Sequence, residues 1–354
     1  MSDPENDPAT SDMLLRLSLI EGFTVAHLRR FRGGPTFHPR LPEIPSPPGG
    51  PLSARVEAAL FSAKAARGAE DVREACARSG IAIVSWLSDE YPSALREIPD
   101  APLVLYRAGA PWRAGTGVAV VGSRAPTGPG RDFARLLAGD LAAAGCVVVS
   151  GMARGIDGAA HRGALEAGRG TVAVLGCGPD VAYPPEHAGL RDEIAGKGTL
   201  YSEYPPGAPP LPRRFPARNR IVSGLCRGVV VAEAPERSGA LITARLALDQ
   251  GREVMAVPGN PWFRHTAGSN RLLQEGAAPV CCAADVLDAL GVPPPRGNGD
   301  LPGRILAVLS RERHVSQVAA LLSLELRKVL PVLMEMELAN LVVKRAGDYY
   351  KRKS

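Results

Sequence analysis

A chain of 354 residues with 45% hydrophobic and 22% charged residues is long enough for two or three domains, one of them able to bury both faces of a sheet. The net charge of +6 permits an anionic partner without requiring one, because a modest basic excess also serves solubility alone. Six cysteines without a C-x-x-C pair, two of them adjacent at Cys281 and Cys282, offer neither a disulfide framework nor a zinc site, so no metal is expected.

The start MSDPENDPATSD is acidic and polar rather than basic and then apolar. No apolar run approaches the roughly 20 residues that span a bilayer. The expectation is a cytoplasmic chain with no membrane contact. Met13 to Phe31 reads as one or two short helices, with Leu14, Leu15, Leu17, Leu19 and Ile20, then Val25, Leu28 and Phe31 at helical spacing and Gly22 between. Gly33 to Pro51 is dense in proline and glycine and reads as a linker. From Ser53 a helical pattern resumes through Val56, Ala59, Leu60 and Ala63, and IAIVSW at Ile81 to Trp86 reads as a short strand. Residues 1–100 are therefore expected to form a small, mostly helical unit.

The rhythm then changes. GVAVVGSR (Gly117 to Arg124), CVVVSG (Cys146 to Gly151), TVAVLGCG (Thr171 to Gly178), TLYSEY (Thr199 to Tyr204), GVVVAEA (Gly228 to Ala234) and EVMAVPG (Glu253 to Gly259) alternate with helical patterns. Continuous valine-rich runs bounded by glycine indicate strands buried on both faces, and hence a parallel sheet covered by helices. Residues 101–290 are read as an α/β domain, an extended Rossmann-like doubly wound parallel sheet. In such sheets ligands bind at the loops that follow the carboxyl ends of the strands.

A second linker, GVPPPRGNGDLP at 291–302, sets off residues 303–354. There Ile305 to Leu309, Val315 to Leu322 and Leu326 to Leu338 read as three helices, followed by two strands around a Gly-Asp turn in LVVKRAGDYYKR. Three helices and a hairpin make a winged-helix pattern. Its third helix mixes Arg327 and Lys328 with Glu335 and Glu337, a poor face for the major groove, so DNA contact and a docking or packing role both stay open.

Three stretches carry potential chemistry. Val118 to Arg124 is a strand opening into a loop with Gly122, Ser123 and Arg124, where backbone N–H groups, a hydroxyl and a guanidinium can cradle phosphate. The G-x-G-x-x-G spacing of dinucleotide binders and the G-x-x-x-x-G-K-[ST] loop of ATP binders are both absent, and no cofactor is expected. SGMARGIDGAAH places Asp157 and His161 four apart at a helix start, which reads more readily as a capping aspartate and a core histidine than as an acid–base pair. Gly151, Arg154 and Gly155 would help shape an anion site beside Arg124. Glu203 and Glu233, at strand ends, read as structural carboxylates before paired catalytic ones, and no catalytic residue is assigned.

The third stretch, PPLPRRFPARNRIVSGLCRG, holds five arginines and no acid from Pro209 to Gly228. Ile221, Val222 and Leu225 share a helical face, so Ala217 to Cys226 is expected to be a helix. Phe215, Arg218, Asn219 and Arg220 would then gather at its positive end, with Arg213 and Arg214 in the preceding loop. Arginines that follow a phosphate chain around an exposed stacking ring suit a single-stranded nucleic acid. The alternative is a buried Phe215 rimmed by solvated arginines.

At these residues a family resemblance becomes specific. Val121-Gly-Ser-Arg124, Ser150-Gly-Met-Ala-Arg-Gly-Ile-Asp157 with Ala160-His161, Tyr183-Pro-Pro-Glu186, Ser202-Glu203, Phe215-Pro-Ala-Arg-Asn-Arg220, Ser238-Gly-Ala-Leu-Ile-Thr-Ala244 and Val257-Pro-Gly259 stand in the order found in the DprA/Smf family of DNA-processing proteins. The resemblance covers roughly Ser88 to Leu290. Asp89-Glu-Tyr-Pro92 and Pro102-Leu-Val-Leu-Tyr106 look like the family's approach to its Rossmann domain. Gly22 and its surroundings resemble the SAM-like or helix-hairpin-helix modules that precede this core, and the tail resembles the winged-helix domain that follows it.

The resemblance implies a non-enzymatic binder of single-stranded DNA. Its members load RecA onto strands coated by single-strand-binding protein during natural transformation, and they work as homodimers. By motif match Arg124 would contact the strand from the first loop, and Phe215, Arg218 and Asn219 would form the base pocket and phosphate contacts. A lysine common before the phenylalanine is absent here, and Arg213 and Arg214 are assigned in its place. The rival is an enzyme, because Ser238 to Thr243 distantly resembles the phosphate loop of nucleotide phosphoribohydrolases in the lysine-decarboxylase-like superfamily. Those enzymes use P-G-G-x-G-T-x-x-E, whereas this chain has Ser-Gly-Ala-Leu-Ile-Thr and Ala247 at the glutamate position.

Overall fold

A computed structural model of the protein describes residues 8–20, 23–27, 62–112, 115–293, 301–309, 312–322 and 324–353. The linker expected at Gly33 to Pro51, Gly22, the helical pattern from Ser53 to Leu60 and most of the 291–302 linker lie outside those residues.

In chain order the elements are α1 (Pro8–Ser18), α2 (Ala63–Arg78), β1 (Ala82–Ser85), α3 (Ser93–Arg96), β2 (Val104–Gly109), β3 (Gly117–Val121), α4 (Gly128–Ala143), β4 (Val147–Ser150) and α5 (Ile156–Glu166). They continue with β5 (Val172–Leu175), α6 (Ala188–Lys197), β6 (Thr199–Ser202), α7 (Arg214–Gly224), β7 (Gly228–Val231), α8 (Gly239–Asp249), β8 (Glu253–Ala256), α9 (Ala267–Gln274), β9 (Ala278–Pro279) and α10 (Ala283–Ala289). The last are α11 (Leu301–Val308), β10 (Arg313–His314), α12 (Val315–Leu321), α13 (Leu326–Leu338), β11 (Val342–Arg345) and β12 (Tyr349–Arg352). The fold is Rossmann-like mixed α/β with mostly parallel strands, a helical N-terminal part and a C-terminal region of helices and a small sheet. Among the described residues no helix is long and apolar enough to cross a membrane.

The chain divides into two compact units, one from Met1–Arg113 and Val172–Leu225, the other from Ala114–Thr171 and Cys226–Ser354. In the first unit the strands run β1-β2-β6-β5. β5 and β6 are parallel, as the valine-rich pattern predicts, but β2 pairs antiparallel with β6 and β1 antiparallel with β2. Residues of β5 and β6 are buried throughout, which is why those segments read as unbroken apolar runs.

In the second unit the order is β4-β3-β7-β8-β9, with parallel pairs on both sides of β3, on both sides of β7 and between β8 and β9. The loops after β4, β3, β7 and β8 therefore leave one edge together. α4 and α5 pack closely because Gly163 has no side chain: a Cβ there would lie 1.9 Å from the Arg135 carbonyl oxygen. The C-terminal helices α11, α12 and α13 flank the antiparallel sheet β10-β12-β11, and Ile305, Val318, Val329, Leu333 and Tyr350 join the same apolar core as Leu137 and Leu141 of α4. Buried Arg313 pairs with Asp140 of α4, Nη1 to Oδ2 at 2.6 Å, and adds a charged anchor to that contact.

Candidate functional site

In the first unit, α7 begins at Arg214, three residues before the expected start at Ala217. Pro216 is tolerated because first-turn N–H groups have no partner within the helix. The earlier start brings Arg214 and Phe215 into the first turn and leaves Arg213 exposed at the N-cap. Phe215 is half-buried over Gly176, which follows β5; a Cβ on Gly176 would approach the ring to 2.9 Å. The Tyr183 ring lies 5.1 Å from that of Phe215, tilted by 34°, and is 38% exposed. The Arg214 guanidinium sits 4.3 Å over the Tyr204 ring and donates to the Pro209 carbonyl at 2.8 Å. Arg191 braces the neighbouring loop by donating to the carbonyls of Pro179 and Asp180. Rings and guanidinium groups thus meet at the carboxyl ends of β5 and β6.

The next two arginines turn inward. Arg218 is 4% exposed, donates to the Val174 carbonyl in β5, and reaches Asn219 Oδ1 at 3.2 Å. Arg220 is 6% exposed and pairs with Glu203 at 2.6 Å and Asp100 at 3.2 Å. Burial opposes its charge, but the two carboxylates outweigh burial and hold its pKa above the ordinary arginine value. Both side chains lock α7 to its surroundings, and Asn219 is half-buried beside them.

In the second unit the loop after β3 is built from both sides. The Ser123 N–H donates to the Glu233 carbonyl at 2.6 Å, the Ser123 hydroxyl accepts from the Ala125 N–H, and the Ser123 carbonyl accepts from the Ile156 N–H. Gly155 adopts φ +76°, and a Cβ on it would meet the Ser123 carbonyl at 2.3 Å, so only glycine lets the two loops touch. The buried Glu233 carboxylate accepts from the Thr127 N–H at 2.9 Å and its hydroxyl at 2.6 Å, while Thr127 caps α4 at Gly130. Gly122, Ser123 and Arg124 are thereby brought beside Arg154 and Gly155, with both arginine side chains exposed.

Asp157 does not cap its own helix, whose N-cap is Gly155; its carboxylate accepts from the Gly151 and Ala153 N–H groups, each at 3.2 Å, and fixes that loop. His161 is fully buried, its Nδ1 2.9 Å from the Thr171 hydroxyl. Glu203 and Glu233 belong to different units, each engaged with a local partner. Ser238 caps α8 by accepting from the Ala240 N–H, and Ala247 is buried in that helix. Tyr183 and Tyr204 are not legible as site residues in the sequence, because their contacts with Phe215 and Arg214 join loops to the first turn of α7 and local spacing does not reveal them.

A family model described as DNA recombination-mediator protein A matches residues 82–291, more than half of the chain. The chain belongs to this family. The DNA recombination-mediator protein A match takes in every candidate contact residue in both units. DNA processing protein DprA of Streptococcus pneumoniae is 47% identical over 204 residues, covering 57% of this chain and 72% of the relative. Protein Smf of Synechocystis is 34% identical over 311 residues, covering 75% and 78%. The X-ray structure of the Streptococcus pneumoniae protein aligns with a TM-score of 0.61 at 40% identity, over 68% of this chain and 83% of that one. DNA processing protein A of Helicobacter pylori, whose structure is described for its single-stranded DNA binding mode, aligns with a TM-score of 0.53 at 30% identity, over 59% and 95%.

Proposed function

We propose that this member of the DNA recombination-mediator protein A family binds single-stranded DNA and loads RecA onto strands covered by single-strand-binding protein, in natural transformation and related recombination. It acts by binding alone, as a homodimer in the cytoplasm, and catalyses no reaction. The observation that carries the reading is Phe215, held in the first turn of α7 with Tyr183 against its ring, Arg214 beside it and Arg213 exposed before it. Ring faces stack bases with little regard to sequence, and guanidinium groups follow the phosphates. Arg124 and Arg154, exposed on touching loops in the other unit, would add phosphate contacts. Relatives named for DNA processing, and one described for single-stranded DNA binding, support the same reading.

The test is RecA filament formation on circular single strands already saturated with single-strand-binding protein, followed through RecA ATP hydrolysis. The wild-type protein is expected to shorten the lag, and Phe215→Ala to leave it long. A wild-type protein that binds the strand but leaves the lag unchanged would contradict RecA loading, and release of free base from nucleoside monophosphates would contradict action by binding alone.

A further inference from the structure

The groups that flank Phe215 are carried by two loops of the first unit. The loop after β5 starts at Gly176, under the Phe215 ring, and brings Tyr183 to that ring's side. The loop after β6 carries Tyr204, whose ring lies under the Arg214 guanidinium, and runs on through Gly207 and Pro209 into α7. The placing of Tyr183 and Arg214 about Phe215 therefore depends on how these two loops are held to each other.

Hydrogen bonds stitch them together. Buried Ser202, at the end of β6, donates its hydroxyl to the Cys177 carbonyl at 2.7 Å and accepts from the Tyr204 N–H at 3.0 Å. The Gly178 N–H donates to the Ala208 carbonyl at 2.9 Å. Further out, both carboxylate oxygens of exposed Asp180 accept from the Gly207 N–H, at 2.9 and 3.0 Å, with Gly207 in the left-handed region at φ +76°. A Cβ on Gly178 would lie 2.6 Å from Asp180 Oδ1 and 2.7 Å from the Pro205 carbonyl oxygen, so the loops meet with no room for a side chain there. Arg191 meets Asp180 through its main-chain carbonyl at 2.6 Å and gives its Nε to Asp192 at 2.9 Å, which leaves the Asp180 carboxylate on Gly207. The Cys177 thiol feels Asp180 together with Arg218, Arg214 and Arg191, so this acid stands within the field of the arginines around α7. A carboxylate at that place opposes a phosphate chain; what it contributes is the bond to Gly207.

We infer that Asp180 is a positioning residue of the single-strand site: by holding Gly207 it sets Tyr183 and Arg214 about Phe215 before a base arrives. A site ordered in advance binds more tightly than one the ligand must order. The inference rests on the single-strand reading above and gives a part in it to an acid rather than to a cation or a ring.

Full-length wild type, Asp180→Ala, Asp180→Asn and Phe215→Ala are titrated against labelled oligo-dT and against an abasic strand of equal length. Charge alone would make both Asp180 variants bind either strand more tightly than wild type, because each removes an anion. Positioning separates them. Asp180→Ala, with no acceptor for the Gly207 N–H, is expected to bind oligo-dT about threefold more weakly than wild type, a fraction of one base stack, and the abasic strand at least as tightly. Asp180→Asn keeps an acceptor oxygen and is expected to bind oligo-dT at least as tightly as wild type. If Asp180→Ala weakens binding to both strands alike, its effect is on the fold and the inference fails. If Asp180→Asn loses as much oligo-dT affinity as Asp180→Ala, the bond to Gly207 is not the cause and the inference fails likewise. If Phe215→Ala weakens oligo-dT binding and Asp180→Ala does not, the positioning role is overturned and the single-strand reading stands. If wild type does not bind oligo-dT, both readings fall together.

Discussion

Arg220 and Glu203 form an ion pair of 2.6 Å at the end of β6, almost sealed from solvent, which fastens the helix carrying Phe215. A buried pair gives little net stability compared with an apolar pair, but removing one partner strands the other charge at a cost of about 3–5 kcal/mol. Because Arg220 keeps Asp100 when Glu203 is removed, Glu203→Ala is expected to lower unfolding stability by about 1–3 kcal/mol in urea, and Glu203→Gln, which keeps a hydrogen-bond acceptor, by less. Equal stability of Glu203→Ala and wild type would contradict a structural role for the pair.

Gly176 faces the Phe215 ring with no room for a methyl group. Gly176→Ala is expected to push the ring from its seat against Tyr183 and to weaken single-strand binding about fivefold, the lower range of a lost stack, without removing any charge. Anisotropy with oligo-dT checks this; the salt dependence of binding is expected to stay parallel to wild type.

Burial pushes the thiols of Cys146 and Cys177 from the ordinary 9.0 up to about 11. Below pH 9 both thiols are protonated in the folded and the unfolded chain, so they leave stability unchanged. Above it the unfolded thiols ionise first, and stability is expected to fall from pH 9 until the folded thiols ionise near 11. At pH 8 an aromatic disulfide reagent is expected to modify exposed Cys281 first, with Cys76, Cys146, Cys177 and Cys226 reacting only after unfolding. Rapid modification of those four in the native protein would contradict their burial.

Much of this was legible in the sequence because strands buried on both faces leave an unmistakable mark. GVAVV, CVVVS, TVAVL, TLYS, GVVV and EVMA each contain the strand the structure places there. The antiparallel additions β1 and β2 were less legible, because an apolar run says that a strand is buried but not which way it runs. The two-residue β9 is too short to leave any period. Phe215 and Arg124 stand out in the sequence from their neighbours; the structure places Phe215, half-buried, in the first turn of α7 and Arg124, exposed, on the loop after β3. Arg218 and Arg220 read as surface cations, since no hydropathy pattern records that the Val174 carbonyl, Glu203 and Asp100 wait inside to receive them. Tyr183 and Tyr204 stayed unassigned for the same reason: partners brought together by loops have no spacing.

The measurement that bears most directly on single-strand binding is oligo-dT anisotropy across a salt series, with wild type, Phe215→Ala and Arg124→Glu side by side. Wild type is expected to bind with affinity falling steeply in salt, by a log–log slope of about −0.7 for each phosphate neutralised. Phe215→Ala is expected to lose affinity at every salt concentration with the slope unchanged, whereas Arg124→Glu loses affinity and flattens the slope, with thermal stability preserved. Wild-type binding that is flat in salt, or affinity that survives both substitutions, would contradict single-strand binding by Phe215 and Arg124.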